Sequence, residues 1–500
     1  MASFSSGTLL SRITGFARDV VTALIFGDHP AIAAFMVAFR LSHLLRRLLG
    51  EGPLSSTFIP QFQAHRSTSP AAASAFFITA SRTLAIVVFG CIAFGELALF
   101  PFATNEVVHL SMQLLPTLLF VALYGLYTAF LHCHDTYFLP SVTPALCNLA
   151  WIGGVWLWRD TPPHLAVTRL AWIVGSGFAL QWIAILPNTS RILARYEKGA
   201  PLPLFHPHIV RLGKLAMLGI IGIGASQIGS ACDALFARWV DPKAPAHLWY
   251  ALRLEQLPLA LIGIACTSAL LPRISRAIAQ SNRDEERHLI QLGLRLSMRL
   301  LIPATLVLIG LSKPIITLLF GYGSHSPLFI PATHLALQGY AIGLIPSALS
   351  IFFTGIAYAK ERQKRASWIA ASAIGCNIVL NALFLLVWKW EATSIALATS
   401  LSMWGSCLLL WWYFWERSLH EKCWNRNACI SMQWWLHARA RKTARFRKPT
   451  ARSRYSRDAH SDRLVWRELC CLYPYVSSSS PRRAAPILLT RCASEPSARK

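Results

Sequence analysis

Apolar stretches of about twenty residues alternate with short polar joints along most of the chain, and a helix of that length crosses the roughly 30 Å hydrocarbon core of a bilayer. The pattern predicts twelve transmembrane helices, at 8–27, 31–49, 76–100, 108–131, 138–158, 165–187, 212–237, 246–271, 289–311, 328–357, 367–388 and 393–415. The first two are weak by hydropathy, because Arg12, Arg18 and Asp19 interrupt one and Arg40, His43, Arg46 and Arg47 the other. The fold class expected is an all-α integral membrane protein. The basic joint at 189–214 divides it into an N-terminal lobe of six helices, residues 1–188, and a C-terminal lobe of six, residues 215–417. Residues 418–500 hold no stretch able to span a bilayer.

Composition sharpens this picture. Of the 500 residues, 54% are hydrophobic and only 14% charged, against about a quarter in soluble domains, which excludes most soluble enzymes. The net charge of +26 is unevenly placed, because Glu421–Lys500 alone contains 18 Lys/Arg against 5 Asp/Glu. In the remainder, the joints after even-numbered helices hold fourteen Lys/Arg and those after odd-numbered helices five. Basic residues accumulate on the cytoplasmic side, so the N-terminus of a multi-pass membrane protein with this pattern is expected in the cytoplasm. Arg12, Arg18 and Asp19 break the apolar run that a cleavable signal needs. Seven cysteines from Cys91 to Cys407 sit singly in or beside helices. His132-Cys133-His134-Asp135 reads as an interfacial loop rather than a metal centre, since consecutive residues rarely converge on one ion.

An arginine near the bilayer centre costs at least about 2.5 kcal/mol, so it normally faces water or a partner. Arg12 and Asp19, two turns apart, share a helix face, with Arg18 about a third of a turn away. Arg40, His43 and Arg47 form a stripe in the next helix, with Glu51 one turn beyond Arg47. Arg253 and Glu255 lie early in the eighth predicted helix and Asp233 late in the seventh. A cavity lined by guanidinium groups selects phosphate, which their planar forks bind through paired donors. The expected substrate is an amphiphile with a phosphate or diphosphate head and a lipid tail left in the bilayer.

The residues that carry these charges resemble a known family. Ser11-Arg12-Ile13-Thr14-Gly15-Phe16-Ala17-Arg18-Asp19, then Ala34-Phe35-Met36-Val37-Ala38-Phe39-Arg40, then Leu44-Leu45-Arg46-Arg47-Leu48-Leu49-Gly50-Glu51-Gly52 are similar to the N-terminal signature of the MurJ (MviN) lipid II flippases. The likeness continues through Pro140, Pro144, Asn148, Ser226-Gln227-Ile228 and Tyr250-Ala251-Leu252-Arg253-Leu254. It implies a MATE-like fold of the multidrug/oligosaccharidyl-lipid/polysaccharide exporter superfamily, with two lobes around a central cavity. It also implies a transporter rather than an enzyme, which moves the peptidoglycan precursor lipid II to the outer leaflet by alternating access, for cell wall synthesis. Arg12, Arg18, Arg46 and Arg253 are then expected to engage the diphosphate, Glu51, Asp19 and Arg47 to form gate or ion pairs, and Asp233 and Glu255 to be accessory. Expected partners are lipid II, membrane lipids and other cell wall synthesis proteins, with no nucleic acid for the body of the chain. No cofactor is expected, and drive is expected from the membrane potential or a monovalent cation.

The sequence departs from the family pattern in places. Ala33 stands where the family commonly has Asp, Leu252 precedes Arg253 in place of an acidic residue, and the later acidic position is Gln256 with Glu255 beside it. The family usually has fourteen helices. The Arg-, Ser- and Trp-rich composition after residue 418 reads as translation in an altered frame, or else as a basic tail that touches anionic lipid or RNA. Two rival functions remain: export of another polyprenyl-diphosphate-linked glycan, and a membrane-embedded enzyme acting on polyprenyl diphosphates. The enzyme lacks the paired acidic residues that would hold a divalent metal.

Overall fold

The computed structural model describes residues 2–49, 53–197, 199–200, 202–204, 206–323, 326–388 and 390–413, with side chains throughout except at 2–5, 43, 45–49, 53 and 218–227. Among the described residues there is no strand, and the chain folds into fourteen helical stretches. They are α1 (Ala2–Phe26), α2 (Pro30–Leu49), α3 (Pro53–Thr68), α4 (Pro70–Phe102), α5 (Glu106–His132), α6 (Phe138–Leu157) and α7 (Pro163–Leu193). There follow α8 (Pro207–Val240), α9 (Ala244–Ala279), α10 (Arg283–Gly310), α11 (Ser312–Phe320), α12 (Phe329–Ala359), α13 (Gln363–Val387) and α14 (Ser394–Tyr413). Proline opens many of them, where its missing N–H is harmless and its fixed φ suits the first turn. Capping side chains open others: Ser69 accepts from the Ala72 N–H, and Asn282 accepts from the Glu285 N–H at 3.2 Å.

Each of the twelve predicted spans lies on one of these helices. Nine helices among the described residues, α4–α7, α9, α10 and α12–α14, are long and apolar enough to cross a membrane. Every 18-residue window of α1 contains Arg12, Arg18 and Asp19, too many charges for that criterion. The pattern of hydropathy missed α3 and α11. α3 is mostly polar and buries only a narrow stripe that includes Leu54, Phe58 and Phe62, and α11 has nine residues.

One apolar core runs through both halves of the chain. It joins Phe35, Phe39 and Trp151 to Trp249, Tyr250, Phe320 and Phe329, so burial of aromatic surface brings residues from before and after the 189–214 joint together. Within α9, Pro258 removes one backbone donor and the next turn, Leu259–Ile264, is wound as π-helix, the expected response to proline inside a helix.

Close helix packing in an apolar medium needs small residues, because lipid gives no hydrophobic drive to helix association. Gly339 and Gly343 on α12 face Ala396 and Ser400 on α14: a Cβ added at Gly339 would lie 2.9 Å from the Ala396 Cβ, and one at Gly343 3.0 Å from the Ser400 Cα. The Ser400 hydroxyl donates to the Gly339 carbonyl across this seam. Gly339→Ala is therefore expected to force the helices apart and destabilise the fold by about 1–3 kcal/mol, read as a lower thermal unfolding midpoint of the detergent-purified protein. An unchanged midpoint would contradict the tight seam.

Candidate functional site

α1 carries three polar residues into the apolar core on adjacent turns: Arg18 is 8% exposed, Asp19 3% and Thr22 1%. The Arg18 guanidinium donates to Asp19 Oδ1 through Nε at 3.0 Å and Nη2 at 2.8 Å, and through Nη1 to Asn148 Oδ1 on α6 at 3.2 Å. The other carboxylate oxygen, Oδ2, lies 3.1 Å from Arg253 Nε on α9. The Trp249 indole N–H donates to Asp19 Oδ1 at 3.4 Å. One buried carboxylate thus bridges two arginines drawn from opposite halves of the sequence, and each charge is compensated as burial demands.

Beneath the guanidinium groups lies an aromatic floor. Arg18 sits 4.4 Å from the ring centre of Trp151, and Arg253 and Arg40 sit 4.5 and 5.4 Å from that of Trp249. Phe39 meets both indoles edge-on, at 5.0 Å for Trp151 and 6.0 Å for Trp249. The Trp151 N–H donates to Thr22 Oγ1 at 3.1 Å, and that hydroxyl donates to the Arg18 carbonyl at 2.7 Å.

A second polar contact between the halves closes the end of α1. Gly27, at φ 53°, ends the helix in the left-handed conformation that favours glycine, and turns Asp28 inward. Asp28 is buried and accepts from His247 Nε2 on α9 at 3.2 Å, from the Ser326 N–H at 2.9 Å and from the Ser326 hydroxyl. Burial pulls its carboxyl up, but the hydrogen bonds from His247 and Ser326 prevail and hold it well below the usual carboxylate range. Nearby, Arg238 on α8 donates to the Pro30 carbonyl at 2.9 Å and to Glu106 on α5 at 3.1 Å.

A third cluster lies in the C-terminal half. Asp233 on α8 accepts from Asn381 Nδ2 at 2.6 Å and from Thr399 Oγ1 at 3.3 Å, and Asn377 Nδ2 donates to Thr399 Oγ1 at 3.2 Å. Asn381 Oδ1 is buried with no hydrogen-bond partner among the described residues.

The structure therefore brings Arg18, Asp19 and Arg253 together and keeps other expected residues apart. Arg12 is exposed, about 9 Å along α1 from Arg18 at 1.5 Å per residue. Glu255 is buried two residues beyond Arg253 and forms no hydrogen bond or ion pair with that cluster among the described residues. Asp233 belongs to the separate amide cluster. Glu51 lies outside the described residues, as do the side chains of Arg46 and Arg47 and the whole of 418–500. The sequence reading missed Trp151, Trp249, Asp28 and His247. Of these, Trp249 had a local signal, four residues before Arg253 and so one turn away on the same face.

Comparison with known proteins gives a consistent family. The model described as "Lipid II flippase MurJ" matches residues 22–432. A probable lipid II flippase MurJ of Chlamydia muridarum (strain MoPn / Nigg) is 32% identical over 413 residues, covering 81% of this chain and 76% of its own. The lipid II flippase MurJ of Burkholderia cenocepacia is 29% identical over 402 residues, covering 77% of each. Among solved structures, a lipid II flippase MurJ in an inward closed conformation superposes with a TM-score of 0.71 at 22% identity, over 83% of this chain and 87% of that one. An inward-facing multidrug resistance MATE family transporter of the MOP superfamily superposes at 0.65 with 12% identity, over 82% and 96%. These two structures share the fold.

Because the folded-state pKa of Asp28 is depressed, its contribution to stability is present above its unfolded value of about 3.9 and is lost as pH falls through and below that value. Asp28→Ala is expected to lower the thermal midpoint at pH 7, with the gap to the parent closing as the pH falls below about 4. A gap that persisted there would show that the carboxylate charge is not what closes this end of α1.

Proposed function

This chain belongs to the MurJ family of lipid II flippases, and on that premise we propose that Arg18 and Arg253 form the seat for the lipid II diphosphate, with Asp19 holding the seat in order between substrates. As a family member it is a membrane transporter rather than an enzyme, and lipid II is its substrate, carried for cell wall synthesis. The observation that carries the proposal is the shared carboxylate, Asp19, within 3.1 Å of a guanidinium from each half. A diphosphate offers the same acceptor chemistry with more charge and more oxygens, so it can replace Asp19 on both arginines at once.

The basic even-numbered joints support a cytoplasmic N-terminus, which puts the α1–α2 turn on the outer side. In this orientation the Asp28, His247 and Ser326 contacts close the outer face, and the arginine seat is approached from the cytoplasm. Arg12, exposed on the cytoplasmic side of Arg18, meets the incoming headgroup first. Arg46, Arg47 and Glu51, which the same loop count assigns to the cytoplasmic side, serve as the cytoplasmic gate. Binding at the seat removes Asp19 from Arg253, which loosens the tie between halves and lets the outer face open. Outward movement of two negative charges gains about 4–5 kcal/mol at 100 mV, less whatever positive charge moves with them.

A monovalent cation fits the Asp233 cluster. One carboxylate with the neutral oxygens of Asn377, Asn381 and Thr399 supplies a single negative charge and hard donors, and Asn381 Oδ1 is without a partner among the described residues. Bound there, the ion neutralises Asp233 in the apolar interior.

Two measurements test this reading. The full chain is expected to restore growth to a bacterium depleted of its own lipid II flippase, whereas Arg18→Ala and Arg253→Ala each reduce flipping at least about tenfold, the loss of one charge-assisted bond. Rescue by either variant equal to that of the parent would overturn the arginine seat. In proteoliposomes, replacing sodium by a large organic cation is expected to slow flipping by the parent and to leave Asp233→Asn unaffected. An equal response from both would remove the cation role from this cluster.

A further inference from the structure

The arginine seat loses its carboxylate in every cycle, and something else must then keep the guanidinium groups in place. Asp19 lies on α1, so it leaves Arg253 whenever the halves separate or a diphosphate takes its position. The tryptophans do not leave. Trp249 precedes Arg253 by one turn of the same helix, with the guanidinium 4.5 Å from its ring centre, and Trp151 lies under Arg18 within the N-terminal half at 4.4 Å. Each half therefore carries its own arginine on its own indole, while the two halves share one carboxylate.

Trp249 is the more exposed to the exchange, because Arg253 is the more open of the two arginines. Its side chain is 33% exposed against 10% for Arg18, and it donates to the neutral Gln256 Oε1 at 3.2 Å. Leu252, adjacent in sequence, supplies no charge. With the halves together Trp249 is 5% exposed, and its N–H donates to Asp19, Phe39 packs against its edge and Arg40 lies over the same ring; when the halves part, the contact that stays is the one within α9, to Arg253.

We propose that Trp249 is a positioning residue for the diphosphate: its indole face fixes the Arg253 guanidinium in binding geometry during the part of the cycle in which Asp19 is displaced. The proposal rests on the arginine seat described above. An indole is the strongest aromatic partner for a cation, ahead of phenol and phenyl rings, and the attraction grows with desolvation. The Asp19 contact alternates with substrate, whereas the Trp249 contact is intrahelical and independent of how the halves stand.

The test is lipid II binding by the full-length protein in nanodiscs, for Trp249→Tyr, Trp249→Phe and Trp249→Leu, each alone and combined with Arg253→Ala. Binding is expected to weaken in the order Trp, Tyr and Phe, Leu, with Trp249→Leu about tenfold below the parent. In the Arg253→Ala background the same substitutions are expected to make no further difference, since residues that act as one unit are not additive. Trp249→Phe keeps an aromatic ring in the core, so a graded loss at an unchanged thermal midpoint separates positioning from misfolding. Losses that add fully to that of Arg253→Ala, or Trp249→Leu binding as well as the parent, overturn the positioning role and leave the seat intact. If Arg253→Ala itself binds lipid II like the parent, the seat fails, and the role of Trp249 with it.

Discussion

A charge cannot be left alone in a medium that does not solvate it, and this constraint organises the protein around one carboxylate. Asp19 is buried in the apolar core with a guanidinium on each of its oxygens. Removing either arginine leaves the carboxylate with an unmet demand, and removing the carboxylate leaves two cations. The arrangement is therefore stable only when both halves of the chain contribute, or when an anion from outside takes over. In the function proposed above, substrate recognition and the attachment of one half to the other use the same atoms, so one cannot change without the other.

The tie at the end of α1 has a different character. Among the described residues Asp28 accepts from His247 and Ser326, and no Lys or Arg sits on it. The three bonds hold a turn rather than a binding site, and they lie two to three helical turns from Asp19. Between the two ties α1 runs as continuous helix to Phe26, packed through Val20, Val21, Ala23, Ile25 and Phe26. The Arg238 contacts to Glu106 and the Pro30 carbonyl reinforce the same end.

Most of the fold was legible in the sequence because the bilayer sets a length, and twelve runs near that length each became a helix. α3 escaped because its burial stripe is narrow and its other faces polar, α11 because nine residues are too few to register as a span. The site was legible to the extent that charge in an apolar helix is anomalous: Arg18, Asp19 and Arg253 stood out on that ground. Their grouping did not, because hydropathy carries no information about which distant helix supplies a partner. Arg12 and Arg18 are six residues apart, so about 240° of rotation separates their directions on an ideal helix. Trp151 lies 133 residues from Arg18, and nothing in its local surroundings marks it as that arginine's floor.

The π-wound turn after Pro258 gives α9 an uneven stiffness. Upstream, Trp249, Tyr250 and Arg253 are tied to α1 and the turn after it by two hydrogen bonds and an ion pair. Downstream, Leu270, Ile274 and Ala277 belong to a separate apolar cluster with α10 and α12. At the junction the proline has already removed the backbone bond that bending would otherwise have to break. The helix is thus two levers joined at a compliant point five residues past Arg253, so the segment tied to α1 and the segment packed on α10 and α12 need not tilt together.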